Sequence, residues 1–254
     1  MGKLTFLGTG TSTGVPMIGC DCEVCASSDP RDKRLRASIW VEDGDTSILV
    51  DTSTDLRAQA LAAKIKKLDA VFFTHHHADH VHGIDELRSF NFLQKEPIRC
   101  YGNNETLSRI ERMFGYIFDN TPETGGGKPR LSMNPLKEAV EVGKVAVRPV
   151  PVMHGDMEIY GYLINSVAYL TDCSKIPDAS MEIIKGAETV ILGALGLKKH
   201  STHFTLEQAV EVIKILRPKR AYLTHLNHNI GHEAVSKTLP ENVTLATDGL
   251  VIEI

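Results

Sequence analysis

The sequence has no apolar run of the roughly 18–20 residues that would span a bilayer, so no membrane-embedded role is expected. Its opening, Met1-Gly-Lys-Leu-Thr-Phe6, lacks the apolar stretch of a signal peptide, and Phe6 stands where a myristoylation pattern needs Ser or Thr. The expected location is therefore the cytoplasm. Excess basic charge is missing too: Lys and Arg total 28 against 32 Asp and Glu, a formal charge of −4. A chain this mildly acidic has no overall pull on nucleic acid or anionic lipid, and no stable nucleic-acid partner is expected. Nor do the cysteines form a disulfide framework. Cys20, Cys22 and Cys25 sit within six residues, while Cys100 and Cys173 are far away. That pattern suits a thiolate cluster holding a metal in a reducing compartment.

What remains is ordinary for a globular chain, with 254 residues, 42% of them apolar and 24% charged, enough for one sizeable core. The unusual component is histidine, with eleven copies crowded into a few short segments.

Short β-branched runs alternate with helical segments along the whole chain. Strands are expected at Leu4–Leu7, Ala37–Val41, Ser47–Val50, Ala70–Phe73, Lys144–Val152, Ile159–Ile164, Val167–Leu170, Thr189–Leu192 and Ala221–Leu223. Leu56–Leu68 reads as an amphipathic helix, with Leu56, Ala60, Leu61, Ile65 and Leu68 on one face. Thr205-Leu-Glu-Gln208 is a capping-box start for a helix reaching Leu216, stopped by Pro218. The stretch 119–137, with Gly125-Gly126-Gly127 and three prolines, reads as a long surface loop. No linker divides the chain. Residues 1–254 are expected to form one α/β domain, a sandwich of two similar sheet-plus-helix halves.

The strongest chemical signal is His75-x-His77-x-Asp79-His80, directly after an apolar strand. Imidazole and carboxylate are good ligands for zinc, manganese and iron(II). In a loop, residues two apart can turn to one centre while the following Asp-His pair faces another. A solvated polyhistidine loop is the bland alternative, but it would not place an Asp inside the cluster.

With this motif the sequence resembles the metallo-β-lactamase-fold hydrolases, whose hallmark is HxHxDH after an apolar strand. The resemblance implies a four-layer αββα sandwich. It also implies that Asp51 orients the ligand loop, that His75, His77 and His154 hold one divalent ion, that Asp79, His80 and His225 hold a second, and that Asp172 bridges them. Two such ions about 3.5–4 Å apart generate a hydroxide at neutral pH and clamp a phosphoryl or acyl oxygen. His77, where di-iron relatives carry Glu, favours hydrolysis over oxygen reduction. Asp172 favours the branch acting on phosphodiesters or thioesters.

Gly19-Cys-Asp-Cys-Glu-Val-Cys25 narrows the resemblance to the phosphoribosyl cyclic phosphate phosphodiesterases of phosphonate breakdown and their relatives, which open with a similar Leu7-Gly-Thr-Gly10. In that family a histidine three residues beyond the last active-site histidine completes a structural zinc site. Here that residue is His228, beside Cys20, Cys22 and Cys25. His203, in Lys199-His-Ser-Thr-His203, matches the histidine that faces substrate and protonates the leaving alkoxide, although a structural or phosphate-binding role is the alternative. His200 is either a second substrate contact or a surface residue. Asp79 joins His203 in the expected catalytic set. Lys128 and Arg130 in the glycine-rich loop are candidates to grip a phosphate, although a solvated loop charge is the commoner case. His76, His82 and His232 have no expected ligand role, and Cys100 and Cys173 read as core residues.

The expected function is hydrolysis of a small phosphodiester, such as a cyclic ribose phosphate or a nucleotide, with two Mn²⁺ or Zn²⁺ ions, a structural Zn²⁺ and His203 as general acid. The resemblance also suggests a homodimer. Rival readings within the fold are a tRNA-maturing endonuclease and a pyrroloquinoline-quinone biosynthesis protein. A scaffold without metals is disfavoured by the complete ligand set.

Overall fold

The computed structural model describes residues 2–119 and 127–254. Six strands open the chain: β1 (Lys3–Gly8), β2 (Ser38–Asp43), β3 (Thr46–Val50), β4 (Ala70–Phe72), β5 (Ile98–Gly102) and β6 (Leu131–Pro135). Seven more follow: β7 (Val140–Val142), β8 (Val145–His154), β9 (Met157–Ile164), β10 (Val167–Leu170), β11 (Thr189–Gly193), β12 (Arg220–Thr224) and β13 (Val243–Leu245). The last strand, β14 (Val251–Glu253), returns to β1. The described residues form two seven-stranded sheets, ordered β14-β1-β2-β3-β4-β5-β6 and β13-β12-β11-β10-β9-β8-β7.

Each sheet is antiparallel on one side and parallel on the other. The parallel strands need crossovers, and helices such as Leu56–Ala63, Leu87–Gln94, Asn104–Met113, Asp178–Ile184 and Leu206–Leu216 supply them. Strand side chains alternate between faces. Phe6, Ile48, Val50 and Phe72 therefore point inward, where they meet Val147, Tyr162 and Tyr169 of the second sheet. Leu49, Val71 and Phe73 point outward against Leu56, Leu87 and Ile110 of the covering helices. Leu170, Leu192 and Leu223 do the same on the far side against Ala209 and Ile213. Helix, sheet, sheet, helix is the expected αββα sandwich.

The capping box is present as expected: Thr205 Oγ1 accepts from the Gln208 amide at 3.2 Å, and Gln208 Oε1 accepts from the Thr205 amide at 2.9 Å. Two expectations need correction. The helix from Leu56 stops at Ala63, because Lys64 turns left-handed (φ 58°) and its amide caps Ala60 and Leu61. The stretch 119–137 is not all loop. Leu131–Pro135 pairs parallel to β5, from Ile98↔Leu131 to Gly102↔Pro135. It is an edge strand that is only partly buried, which removes the apolar signature, and an edge tolerates Pro135. Gly125 and Gly126 lie outside the described residues.

Candidate metal centre

Every candidate ligand of the paired groups except His77, Asp79 and His80 sits at or just beyond the C-terminal end of a strand, as does the orienting Asp51. Asp51 follows β3, His75 follows β4, His154 ends β8, Asp172 follows β10 and His225 follows β12. His77 precedes the short helix Ala78–Val81, which carries Asp79 and His80. Open α/β sheets bind ligands at this edge because the strand ends splay there and leave room for loops. Asp51, Asp172 and His225 have positive φ (66°, 53° and 58°), a left-handed backbone that non-glycine residues adopt at a cost of roughly 1–3 kcal/mol each. That turn drops each side chain back over the sheet edge.

The structure brings the seven expected residues into two neighbouring groups. One nitrogen from each of His75, His77 and His154 lies within 4.8 Å of the others. One ligand atom from each of Asp79, His80, Asp172 and His225 satisfies the same limit. Asp172 also lies within that limit of His154 and His203, so it stands between the two groups. Its Oδ1 is 3.4 Å from His80 Nε2, and its Oδ2 is 3.0 Å from His225 Nε2 and 3.2 Å from His203 Nε2. Asp79 Oδ2 is 3.2 Å from His80 Nε2 and 3.8 Å from His225 Nε2.

Whether this donor set suits metal is tested by its unpaired atoms. His75 Nε2, His80 Nε2 and both ring nitrogens of His225 are buried and make no aligned hydrogen bond. The short separations between His80 or His225 and the carboxylates are thus approaches without alignment, as expected when lone pairs converge on a common point rather than on each other. An orphaned buried polar atom costs roughly 1–3 kcal/mol, and a cation would satisfy several here at once. The donor set fits two divalent ions.

The other ring nitrogens are tied down, which fixes how each imidazole is presented. Asp51, fully buried, accepts from the Thr74 amide (2.8 Å), the Thr74 hydroxyl (2.8 Å) and His80 Nδ1 (2.7 Å). Thr74 Oγ1, its hydrogen committed to Asp51, accepts from His75 Nδ1 at 3.0 Å. His154 Nδ1 donates to the Thr202 carbonyl at 2.9 Å. In all three rings Nε2 is left for the centre. Burial raises the Asp172 carboxyl, but the facing imidazoles of His225 and His80 outweigh it and hold the group well below the usual range. Burial also lowers His75 well below an ordinary imidazole. His225 is pushed the other way, up to about 9, because Asp172 and Asp79 overcome its burial. An ionised carboxylate pair among buried imidazoles attracts positive charge, whether proton or metal.

His203 faces Asp172 and stacks 5.0 Å from the ring of His225. His200 is exposed, with its ring 5.1 Å from that of His203. Lys128 pairs with the Asp119 carboxylate at 2.8 Å. Cys100 and Cys173 are buried, and burial pushes both thiols up.

A second cluster gathers Cys20, Cys22, Cys25 and His228, whose ligand atoms also lie within 4.8 Å of one another. His228 Nδ1 is 3.2, 3.5 and 3.6 Å from the three sulfurs. The Cys25 amide donates to Cys22 Sγ, and this above all lowers the Cys22 thiol to about 6. Burial instead pushes Cys25 up to about 11. Three sulfurs around one imidazole nitrogen is the tetrahedral set of a closed zinc site. Arg34, which the sequence did not mark, clamps the two loops. Its guanidinium donates to Asp32 (3.1 Å), to the Ile230 carbonyl (2.7 Å) and to the Asn227 carbonyl (3.2 Å).

A family model described as a beta-lactamase superfamily domain matches residues 46–226. The chain belongs to that superfamily and carries its metallo-β-lactamase fold. Within it the chain is PhnP-like. It is 43% identical to the structure described as a new diphosphatase from the PhnP family, with a TM-score of 0.93 over 100% of this chain and 98% of the other. The zinc-bound PqqB of Methylobacterium extorquens, 21% identical, shares the fold with a TM-score of 0.78 over 99% of this chain and 100% of the other. Among curated relatives, an octanoyltransferase of Porphyromonas gingivalis is 37% identical over 98% of this chain. The chain spans only 51% of the length of that protein. A ribonuclease Z of Bradyrhizobium diazoefficiens is 27% identical over 66% of this chain and 51% of its own length. Among the described residues no helix is long and apolar enough to cross a membrane.

Proposed function

We propose that the protein is a dinuclear-metal hydrolase of small phosphodiesters, cyclic ribose phosphates or nucleotide-like esters. The observation that carries this reading is the pair of ligand groups joined at Asp172, with the His203 ring over their junction. His75, His77 and His154 would hold one ion, Asp79, His80 and His225 the other, and Asp172 both. Manganese and zinc both suit these ligands. When bound, two such ions supply a nucleophile at neutral pH and offset charge on the phosphoryl oxygens.

The remaining work falls to the chain. Asp51, Thr74 and the Thr202 carbonyl hold three imidazoles with Nε2 toward the centre, so the site is formed before substrate arrives. Asp79, buried and ionised, lends its charge beside Asp172. His203 Nε2 delivers a proton to the departing oxygen, a step worth roughly 10²–10⁴ in rate. Cys20, Cys22, Cys25 and His228 would hold a structural zinc, in keeping with a cytoplasmic, reducing location. The relatives described as a diphosphatase and a ribonuclease Z support phosphorus as the centre attacked.

The test is hydrolysis of bis(p-nitrophenyl) phosphate by protein loaded with manganese or zinc. Asp172→Ala should abolish turnover, and His203→Ala should slow a cyclic ribose phosphate, whose leaving alkoxide needs a proton, far more than this activated diester. The octanoyltransferase relative makes p-nitrophenyl octanoate the natural second substrate. Turnover of that ester alone, with both metal sites filled, would overturn the phosphodiesterase reading.

A further inference from the structure

His203 is flanked by Thr202 and His200 in an arrangement that fixes where its protons sit. Four contacts define it. Thr202 Oγ1 lies 2.9 Å from His203 Nδ1 and 3.1 Å from His200 Nδ1. The two Nδ1 atoms are 3.2 Å apart, and the Thr202 amide donates to His200 Nδ1 at 3.4 Å. A backbone N–H can only donate. His200 Nδ1 is therefore an acceptor and carries no hydrogen. The Thr202 hydroxyl hydrogen then turns to the same lone pair, which leaves Oγ1 free to accept. The His203 Nδ1 hydrogen has two acceptors in reach, Thr202 Oγ1 and His200 Nδ1. On the other side of the ring, Nε2 points toward the ligand groups, 3.2 Å from Asp172 Oδ2.

We propose that Thr202 and His200 are positioning residues that keep one proton on Nδ1 of His203, so that the proton on Nε2 is the one delivered to the leaving oxygen. This rests on the reading of His203 as the general acid. In the loaded ring both nitrogens carry hydrogen. As the oxygen of the attacking water bonds to phosphorus, the bond to the leaving oxygen breaks and its electron pair stays on that oxygen, which takes the Nε2 proton. His203 is then a neutral imidazole with its hydrogen still on Nδ1, and the proton given up by the attacking water returns to Nε2 through solvent. No hydrogen bond in the Thr202–His200 network reverses during the cycle, so no reorganisation is needed at the moment of transfer.

Thr202 is held firmly enough for this role. Its carbonyl accepts from His154 Nδ1, and its Cγ2 packs against Gly155 so closely that a Cβ there would come within 2.9 Å of it. Gly155 has φ +62°, a conformation that glycine adopts without strain. The side chain therefore aims the acid while the main chain of the same residue orients a candidate ligand. His200, exposed and outside both ligand groups, serves as the terminal acceptor.

The test uses zinc-loaded protein and four variants: T202V, which keeps shape but loses the hydroxyl, T202S, which keeps it, H200A, and H200N, which keeps an acceptor. The first readout is the ¹⁵N spectrum of the histidine rings, with the His203 signals assigned from their loss in H203N. Wild type and T202S should show Nδ1 of His203 protonated, and T202V a mixture of tautomers. A bare Nδ1 in wild type, or an unchanged T202V spectrum, overturns the proposal. The second readout is the ratio of kcat for a cyclic ribose phosphate, whose leaving alkoxide needs a proton, to kcat for bis(p-nitrophenyl) phosphate, whose nitrophenolate does not. T202V and H200A should lower that ratio about tenfold, a part of what a placed general acid supplies. T202S and H200N should restore it. Equal losses on both substrates would mean a merely structural role and sink the idea. If metal-loaded wild type turns over neither diester, the phosphodiesterase reading fails, and the ring spectra alone then decide the positioning claim.

Discussion

Asp51 concentrates more order on the centre than any residue that would touch metal. It takes three hydrogen bonds, one of them from His80 Nδ1, and it reaches His75 through the Thr74 hydroxyl. Burial raises its carboxyl, and only the adjacent His80 and Thr74 groups oppose that. Replacing it with Asn would put an NH₂ where an acceptor is needed and free two imidazoles to rotate. We expect D51N to fold but to bind zinc at the paired ligand groups about 10–100-fold more weakly, the usual cost of losing such a partner. Competition against a chromophoric chelator measures it. Affinity equal to wild type would mean that the ligand loop is held by its backbone alone.

At the scale of elements, the Cys₃His cluster joins the loop after β1 to the loop after β12, across 203 residues between Cys25 and His228. Arg34 spans the same gap with two hydrogen bonds, to the Asn227 and Ile230 carbonyls, so a metal held by the cluster and the guanidinium would share the work of holding these loops together. The loop after β12 also carries His225, and the Leu226 amide donates to the Thr9 carbonyl at 2.8 Å. Removing His228 should therefore loosen the N-terminal loop without unfolding the sheets. H228A is expected to lose one equivalent of bound zinc and about 4 kcal/mol of stability, the scale of a cross-link closing a long loop. Metal analysis alongside urea unfolding provides the check. An unchanged zinc count would show that the cysteines hold the ion without the imidazole.

At the scale of the whole molecule, the chain closes on itself where β14 pairs with β1 and Asp248 bridges two early segments. Asp248 Oδ1 accepts from the Thr9 hydroxyl and Oδ2 from the Leu35 amide, each at 2.7 Å. Burial nevertheless pushes its carboxyl up to about 6, from an ordinary 3.8, against those bonds and the nearby Arg34. The folded state thus holds this proton more tightly than the unfolded chain. The associated stability is fully present below about pH 4 and is lost as pH rises through about 6, by up to about 3 kcal/mol. The stability difference between wild type and D248N should therefore shift against wild type between pH 4.5 and 7.5. A difference that does not change over that range would show the carboxylate to be ionised throughout.

Much of this molecule was legible in its sequence, because the informative features are local. A run such as Ala70–Phe72 is apolar on both faces only when it is covered on both sides, and an HxHxDH loop directly after it needs no tertiary knowledge to be noticed. The spacing marked the residues that the structure gathers at one edge. Strand β6 left no such mark, since an edge strand that is only partly buried has little apolar pattern to show. Arg34 and Asp248 were equally silent, because their partners lie about 200 residues away and an isolated charge does not announce its burial. Thr74 and Thr202 sat beside the motif histidines yet carried no signal, since threonine is common at strand ends and caps. The sequence by itself determined the layer order, the ligand types and the strand ends that carry them, through period, composition and spacing. Only the tertiary structure decided which ring nitrogen faces the centre and which neighbours hold the acid's protons. Those depend on hydrogen-bond directions between segments far apart in the chain, and no local pattern encodes them.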